Sequence, residues 1–200
     1  MKNIVIGVDE VGRGALAGDL LVAAATFLPG PLGDAARAVS KDSKAFASRA
    51  SREAAFPIVE RGTLHAYAVR TPADIDRLNI RGAVLDAFHE AASVLRGRLG
   101  EAFVEVLWDG KDRPPSWEAS PWGGSDRAVI KGDATVPEIA AASVLAKVTR
   151  DRWMVEWSGR HPGYGWERNS GYGSAVHLEA IRVLGLTSIH RSWARKFAAA

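Results

Sequence analysis

Residues 4–18 read IVIGVDEVGRGALAG, and this stretch decides both the fold and the position of the site. An apolar run from Ile4 to Val8 leads directly into two adjacent carboxylates, Asp9 and Glu10. Such a run predicts a buried strand, and carboxylates at the end of a buried strand are unfavourable to desolvate unless cations meet them. The glycines that follow allow a ligand to approach the backbone closely. The stretch therefore predicts a strand that ends at a ligand-binding site.

Length and composition predict one large domain, or one domain with an appendage, without thiol chemistry. The chain has 200 residues and no cysteine, which excludes disulfides, thiolate nucleophiles and zinc–sulfur sites and fits a reducing cytoplasm. No apolar run approaches the roughly 20 residues that span a bilayer, so we expect no membrane segment. The opening apolar run, Ile4–Val8, is too short for a signal peptide.

Positive charge and aromatic side chains are concentrated in the last third of the chain. Residues 1–126 carry a net charge of −2, and residues 127–200 carry +5. The second part also contains the aromatic residues Trp153, Trp157, Tyr164, Trp166, Tyr172 and Trp193. Interleaved cations and aromatic rings are typical of a nucleic-acid-binding surface. A solvated basic face over an aromatic core would give the same composition, so both interpretations stay open at this point.

The spacing of apolar residues predicts a sheet with helices on its faces. Strands are expected over 4–8, 20–27, 63–70, 103–108 and 128–130, and helices over about 48–61, 72–99, 135–157 and 175–184. Residues 33–39 are expected to form a loop or a short helix, and residues 110–125 a loop. The segment from Thr135 to Glu138 is typical of a capping box with proline in the first helical turn. Because three strands come early and later strands alternate with helices, we predict a mixed α/β sheet in which an antiparallel meander has parallel neighbours.

Two further carboxylates are candidates to join the first pair. Asp109 ends the fourth strand, and Asp151 shares a helical stripe with small and apolar residues. Sites in open α/β sheets form at strand ends, although Asp109-Gly110 is also a common turn sequence. Asp151 could equally form an i,i+4 pair with Lys147, which is worth ~0.3–0.5 kcal/mol. If four acids meet, their repulsion requires cations, and all-oxygen ligands favour Mg²⁺ or Mn²⁺.

The turn after the first strand admits two interpretations. Neighbouring strand residues point to opposite faces, so we expect Asp9 and Glu10 to share a ligand only if the strand is interrupted between them. Residues 12–17 also match the G-x-G-x-x-A fingerprint of dinucleotide-binding proteins. That fingerprint opens a helix, whereas residues 20–27 are predicted to form a strand, and two acids would repel a pyrophosphate. We therefore favour hydrolysis of a phosphodiester by water that two divalent ions activate.

Seven segments, taken together, resemble the type 2 ribonucleases H, or ribonuclease HII. They are DEVGRGALAG, KDSK, IDRLNIRGAV, LWDG, KGDATVPEIAAASVLAKVTRDR, YGWERNSGYG and IHRSW, and they follow one another from Ile4 to about Phe197. The resemblance implies a ribonuclease H-like α/β fold, with a five-stranded mixed sheet flanked by helices and a C-terminal helical extension. It also implies a catalytic core over residues 1–157, on which an extension over residues 158–200 packs within a single domain.

The resemblance implies an endonuclease that requires Mg²⁺ or Mn²⁺. Such an enzyme would hydrolyse the RNA strand of RNA–DNA hybrids and incise duplex DNA at single embedded ribonucleotides, leaving 3′-hydroxyl and 5′-phosphate ends. We expect a cytoplasmic monomer, and the terminal sequence KFAAA contains no sliding-clamp binding motif. The alternative is a non-catalytic nucleic-acid-binding module on the same fold, and the intact set of acids speaks against it.

The matched motifs also imply roles for particular residues. The catalytic and metal-binding acids would be Asp9, Glu10, Asp109 and Asp151. Recognition of the ribose 2′-hydroxyl, which distinguishes RNA from DNA, would fall to Gly12, Arg13 and Gly14. Tyr172 would pack against the neighbouring sugar, and phosphate contacts would come from Lys44, Asn169, Ser170 and Arg191. Lys131 and Asp133 are expected to have a structural or supporting role.

Overall fold

A five-stranded sheet with the order β3-β2-β1-β4-β5 forms the centre of the fold. The computed structural model describes residues 4–41, 46, 48–100, 104–118 and 125–198. The strands are β1 (Ile4–Val11), β2 (Leu20–Phe27), β3 (Thr63–Arg70), β4 (Val104–Asp109) and β5 (Ser125–Val129). The first three strands are antiparallel neighbours, and β4 runs parallel to both β1 and β5. The predicted mixed sheet, including its meander, is confirmed.

Helices cover both faces of this sheet. They are α1 (Pro31–Lys41), α2 (Arg49–Gly62), α3 (Pro72–Gly97), α4 (Pro115–Glu118), α5 (Gly132–Thr135), α6 (Pro137–Arg160), α7 (Trp166–Asn169) and α8 (Ala175–Leu184), followed by a 3₁₀ helix over Ser192–Phe197. Helix α3 packs on the face that carries Ile6 and Val8, and α6 and α2 pack on the opposite face. Within the described ranges, no helix is long and apolar enough to cross a bilayer.

Helix α6 lies directly on β1, and a glycine makes that approach possible. A Cβ atom at Gly7 would lie 2.2 Å from the backbone of Glu138 and Ile139, so a larger residue would push the helix off the strand. This contact fixes which turn of α6 lies over which residue of β1. The polar residues that follow along α6 are thereby placed relative to the end of β1.

The start of α6 differs from the prediction. Its N-cap is Val136, and no side chain caps it, so the predicted capping box is wrong. Residues 132–135 form the separate short helix α5, in which Thr135 Oγ1 donates to the Lys131 carbonyl at 3.2 Å. The Glu138 carboxylate instead pairs with Arg37 at 2.8 Å. Both side chains of the expected box therefore have other partners.

The C-terminal extension packs against the turn between β1 and β2. Leu16 and Ala17 of that turn share an apolar cluster with Met154 of α6 and with buried residues of the extension. Backbone hydrogen bonds join the same parts, because the Leu16 amide donates to the Gly171 carbonyl at 2.8 Å and the Gly18 amide donates to the Ile189 carbonyl at 2.9 Å. The last part of the chain thus shapes a turn that lies close to its beginning.

Candidate active site

Three carboxylates meet where β1 and β4 end side by side. One oxygen atom from each of Asp9, Glu10 and Asp109 lies within 4.8 Å of the other two. The parallel pairing of β1 with β4 brings Asp109 to the same end of the sheet. Asp9 is buried, and the other two side chains are partly exposed. We call these three residues the acid cluster, and its all-oxygen donor set fits Mg²⁺ or Mn²⁺.

The acid cluster forms without the expected interruption of the strand. β1 continues to Val11, with Asp9 paired to Ala23 and Glu10 paired to Val22. The Glu10 amide donates to Asp9 Oδ1 at 2.7 Å, which orients that carboxylate. The glutamate side chain has one methylene more and can reach the same point from the opposite face. The prediction that convergence needs a break was therefore wrong.

Burial raises the pKa of all three carboxyl groups. Desolvation and the charge of Glu10 raise the pKa of Asp9 well above its usual value, although a hydrogen bond from Ser143 acts in the opposite direction. Desolvation also raises the pKa of Glu10, more than the Arg13 guanidinium lowers it. The pKa of Asp109 is raised for the same reason. A bound divalent cation would favour the ionised forms and offset the repulsion between the carboxylates.

Asp133 also lies beside the acid cluster, although the sequence analysis gave it a supporting role. Its amide donates to Asp109 Oδ1 at 3.2 Å, and its negative charge contributes to the raised pKa of Asp109. Its exposed side chain lines, together with Glu10, a cavity of about 390 Å³. The signal in the sequence was weaker than for Asp109, because Asp109 is the last residue of β4, whereas Asp133 lies in the short helix α5 that follows β5.

Asp151 does not belong to the acid cluster. Its Oδ1 atom accepts hydrogen bonds from Lys147 Nζ at 3.0 Å and from Ser170 Oγ at 2.7 Å. Ser143, which contacts Asp9, precedes Asp151 by two helical turns, or about 12 Å along the axis of α6. The structure therefore corrects the prediction that Asp151 meets the other acids, and shows the pair with Lys147 that the sequence left open.

The glycine-rich turn lies next to the acid cluster and against an aromatic ring. Gly12 has φ +90°, and its amide donates to the Tyr172 hydroxyl at 3.1 Å. A Cβ atom at Gly12 would lie 2.4 Å from Arg150 Nε, whereas one at Gly14 would meet no atom within 4 Å. The exposed Arg13 side chain reaches the acid cluster, with its guanidinium 3.4 Å from a carboxylate oxygen. The structure thus brings together the turn, the tyrosine and the acids.

Two buried arginines hold this turn from behind. Arg150 and Arg191 are 1% and 0% exposed, and both donate to backbone carbonyls. Arg150 donates to the carbonyls of Asp19 at 2.7 Å, Ala17 at 3.0 Å and Ser170 at 2.7 Å. Arg191 donates to the carbonyls of Gly18 at 2.9 Å and Arg13 at 3.2 Å. Arg191 was predicted to touch a phosphate, and its complete burial makes it a support of the turn instead.

The other predicted phosphate contacts also bond within the protein. The Asn169 side chain accepts from the Gly171 amide at 2.9 Å and donates to the Tyr164 carbonyl at 2.9 Å. Ser170 is buried in a left-handed conformation, with φ +50°. These two residues shape the backbone that leads to Tyr172, and their contact with a phosphate stays a prediction. Lys44 lies outside the described residues.

Comparisons with known proteins show the family and the fold of this chain. The family model described as Ribonuclease HII matches residues 6–198. A protein of that name from Novosphingobium aromaticivorans is 42% identical over 191 residues, which cover 94% of this chain and 93% of the relative. The ribonuclease H2 structure from Pyrococcus horikoshii OT3 has a TM-score of 0.74 and 26% identity, over 97% of this chain and 96% of that one. The RNase HII structure from Archaeoglobus fulgidus, a complex with PCNA, has a TM-score of 0.74 and 25% identity, over 96% and 94% of the two chains.

Proposed function

The chain belongs to the ribonuclease HII family and is a metal-dependent endoribonuclease of the ribonuclease H type, and we propose that it both hydrolyses the RNA strand of RNA–DNA hybrids and incises duplex DNA at single ribonucleotides. In this proposal two divalent ions, Mg²⁺ or Mn²⁺, support the reaction, and the products carry 3′-hydroxyl and 5′-phosphate ends. The observation that carries the proposal is the convergence of three carboxylates within 4.8 Å at the end of β1 and β4.

The residues that would hold the ions are Asp9, Glu10 and Asp109, with Asp133 as the fourth acid. Support for the fourth acid comes from its electrostatic effect on Asp109 and from its place on the wall of the Glu10 cavity. Bound divalent ions would activate the attacking water and stabilise the charge on the leaving oxygen. The protein contributes the fixed oxygen atoms, and the hydrogen bond from Ser143 favours the ionised form of Asp9.

Discrimination between RNA and DNA would come from the turn at Gly12-Arg13-Gly14 and from Tyr172. Gly14 is exposed and has open space where a side chain would be, so a sugar can approach the backbone there. The hydrogen bond from the Gly12 amide to the Tyr172 hydroxyl fixes the ring relative to the turn. A deoxyribose lacks the 2′-hydroxyl and would leave polar groups of the turn unpaired, which is a strong basis for rejecting it.

We further propose that the protein acts as a monomer in the cytoplasm, which the lack of cysteine fits. The Archaeoglobus protein is bound to the sliding clamp PCNA in its structure, and this neighbour does not fit the expectation from the terminal sequence KFAAA. Binding of this chain to a sliding clamp therefore warrants direct measurement. The alternative of a non-catalytic binding module finds no support, because the three converging acids are intact.

A cleavage assay with mapped ends tests the proposal. Three labelled substrates are compared: a duplex with one ribonucleotide, a long RNA–DNA hybrid and an all-DNA duplex. With Mg²⁺ or Mn²⁺ we expect cuts in the first two, with 3′-hydroxyl and 5′-phosphate ends, and no cut in the third. EDTA should stop the reaction, and an Asp9→Asn variant controls for contaminating nucleases. Cleavage in EDTA, or equal cutting of the all-DNA duplex, would overturn the proposal.

A further inference from the structure

We propose that Lys147 binds a phosphate of the substrate strand and that Asp151 is the positioning residue that holds the Lys147 ammonium in place. This inference rests on the proposed function and deepens it by assigning one contact between the protein and the nucleic acid. It also gives Asp151 a role that does not require it to bind a metal ion.

The first argument is the way in which Asp151 holds Lys147. Asp151 is 5% exposed, and its Oδ1 atom accepts from both Lys147 Nζ and Ser170 Oγ. A buried carboxylate with two donors has a fixed orientation, and it fixes the ammonium in turn. The Lys147 side chain is itself 29% exposed. Among the described residues, Asp151 is the hydrogen-bond partner of its ammonium, which leaves N–H groups for a ligand.

The second argument is the location of Lys147. It lines the same cavity as Glu10, Asp133 and Ser143, so it lies next to the acid cluster. Its Nζ atom also lies 5.6 Å from the centre of the Tyr172 ring. A sugar that packs on this ring would carry its phosphate close to the ammonium. Lys147 is therefore placed to bind the phosphate attached to that sugar.

The third argument is charge. The wall of this cavity includes carboxylates that would repel the phosphates of an incoming strand wherever bound metal ions do not compensate them. Two cations, Lys147 and Arg52, line the cavity among the described residues. Arg52 donates to the Phe46 carbonyl at 2.9 Å, whereas the Lys147 ammonium lies 5.6 Å from the centre of the Tyr172 ring, on which the sugar would pack. Lys147 is the cation whose position suits a phosphate next to the acid cluster.

The salt dependence of binding tests this role without cleavage. Binding of a fluorescent duplex with one ribonucleotide is measured in EDTA over a range of salt concentrations. Lys147→Ala should weaken binding about 10-fold and reduce the slope of log Kd against log salt by about 0.9, as expected for one lost phosphate contact. Lys147→Arg should keep the slope. Arg152→Ala is the matched control, because Arg152 is on the same helix and pairs with Glu53 at 2.6 Å.

Manganese binding separates this proposal from a role of Asp151 as a metal ligand. Without nucleic acid, Asp151→Asn should bind Mn²⁺ within about twofold of the original protein, whereas Asp9→Asn should lose more than about 10-fold. In the cleavage assay both Asp151→Asn and Lys147→Ala should raise KM and leave kcat within about threefold, because a contact made equally in the ground and transition states is lost.

Two results would overturn the inference: an unchanged salt slope for Lys147→Ala, or a loss of Mn²⁺ affinity for Asp151→Asn that matches Asp9→Asn. If Lys147→Ala does not fold because Asp151 loses its partner, Lys147→Gln keeps a hydrogen-bond donor, removes the charge and must show the same reduced slope. Failure of the proposed function looks different, because the original protein would then cleave no substrate that contains a ribonucleotide.

Discussion

Replacing Asp9 by asparagine should abolish cleavage and, at the same time, stabilise the metal-free protein. Asp9 is 7% exposed, and its carboxylate lies within 4.8 Å of two other carboxylates. Asparagine has nearly the same shape and no charge, so it removes the repulsion without leaving a cavity. Because Asp9 is a proposed metal ligand, cleavage should also fall by more than about 100-fold.

The size of the stabilisation follows from this geometry. Two ionised carboxylates 4.8 Å apart repel each other by about 3.5 kcal/mol at an effective dielectric constant of about 20. Protonation relieves part of this repulsion in the original protein. We therefore expect Asp9→Asn to raise the free energy of unfolding without metal by about 1–3 kcal/mol at pH 8, or about 2–4 °C in Tm for each kcal/mol.

The gain should depend on pH in a defined direction. The folded protein raises the pKa of Asp9 above its usual value of 3.8. Below that value the carboxyl group is protonated in both the folded and the unfolded state, so it has no effect on stability. As the pH rises, the unfolded chain ionises first and the stability of the original protein falls until the raised pKa is passed. The advantage of Asp9→Asn should therefore be small at pH 4 and largest at pH 8.

Thermal melts in EDTA and in Mg²⁺ between pH 4 and pH 8 check this prediction. At about 100 times its Kd, the metal should stabilise the original protein by about 2.7 kcal/mol and Asp9→Asn by much less. Glu156→Gln, an exposed change on α6, serves as the control and should leave both curves unchanged. The reasoning is refuted if Asp9→Asn is less stable than the original protein in EDTA at pH 8, or if Mg²⁺ stabilises both proteins equally.

Three further predictions concern the turn and the extension. Gly12→Ala should lose about 1–3 kcal/mol of stability and most of the cleavage activity, because the new Cβ, at φ +90°, would lie 2.4 Å from Arg150 Nε. Gly14→Ala is the control and should melt like the original protein, because a Cβ there would meet no atom within 4 Å. Equal melting curves for the two alanine variants would contradict this. Tyr172→Phe removes the acceptor of the Gly12 amide and should lower the free energy of unfolding by about 0.5–1.5 kcal/mol in melts. Because it keeps the ring, it should cleave a duplex with a single ribonucleotide better than Tyr172→Ala. Equal cleavage by the two variants would count against the ring contact. Burial lowers the pKa of His190 from 6.5 to about 4. Between these two values the unfolded chain binds a proton and the folded protein does not, so the free energy of unfolding should fall as the pH drops, by up to about 1.4 kcal/mol per pH unit. His190→Gln should make this fall less steep in thermal melts between pH 4 and pH 7. Parallel curves for the two proteins would refute that last assignment.

The sheet could be predicted because its sequence signals are local. The strands over 20–27 and 63–70 have the predicted bounds, since each is a short apolar or alternating run that ends at a clear break. The start of α6 was harder to predict. Thr135 and Glu138 have the spacing of a capping box, but their hydrogen-bond and ion-pair partners come from Lys131 and Arg37, and the Arg37 contact is one that spacing along the chain does not show.

The acids also show that the sequence does not predict which residues from distant parts of the chain come together. Asp109 could be found from its place at a strand end, whereas Asp133 lies in the short helix that follows the next strand and does not satisfy the same rule. The helical stripe correctly predicted that Asp151 faces packed residues, because a stripe gives the direction of a side chain from its helix. It does not give the position along the helix axis, which depends on the contact between α6 and Gly7 of β1.

The support of the turn by the buried residues Arg150 and Arg191 has a consequence for the synthesis of this enzyme. All four acids of the proposed metal centre have been synthesised once the ribosome has passed residue 133, long before Arg191 is added. The turn that would select ribose gains the support of Arg191 only when that residue has left the exit tunnel. A nascent chain that ends between residues 133 and 191 therefore carries the four acids before Arg191 can support the turn.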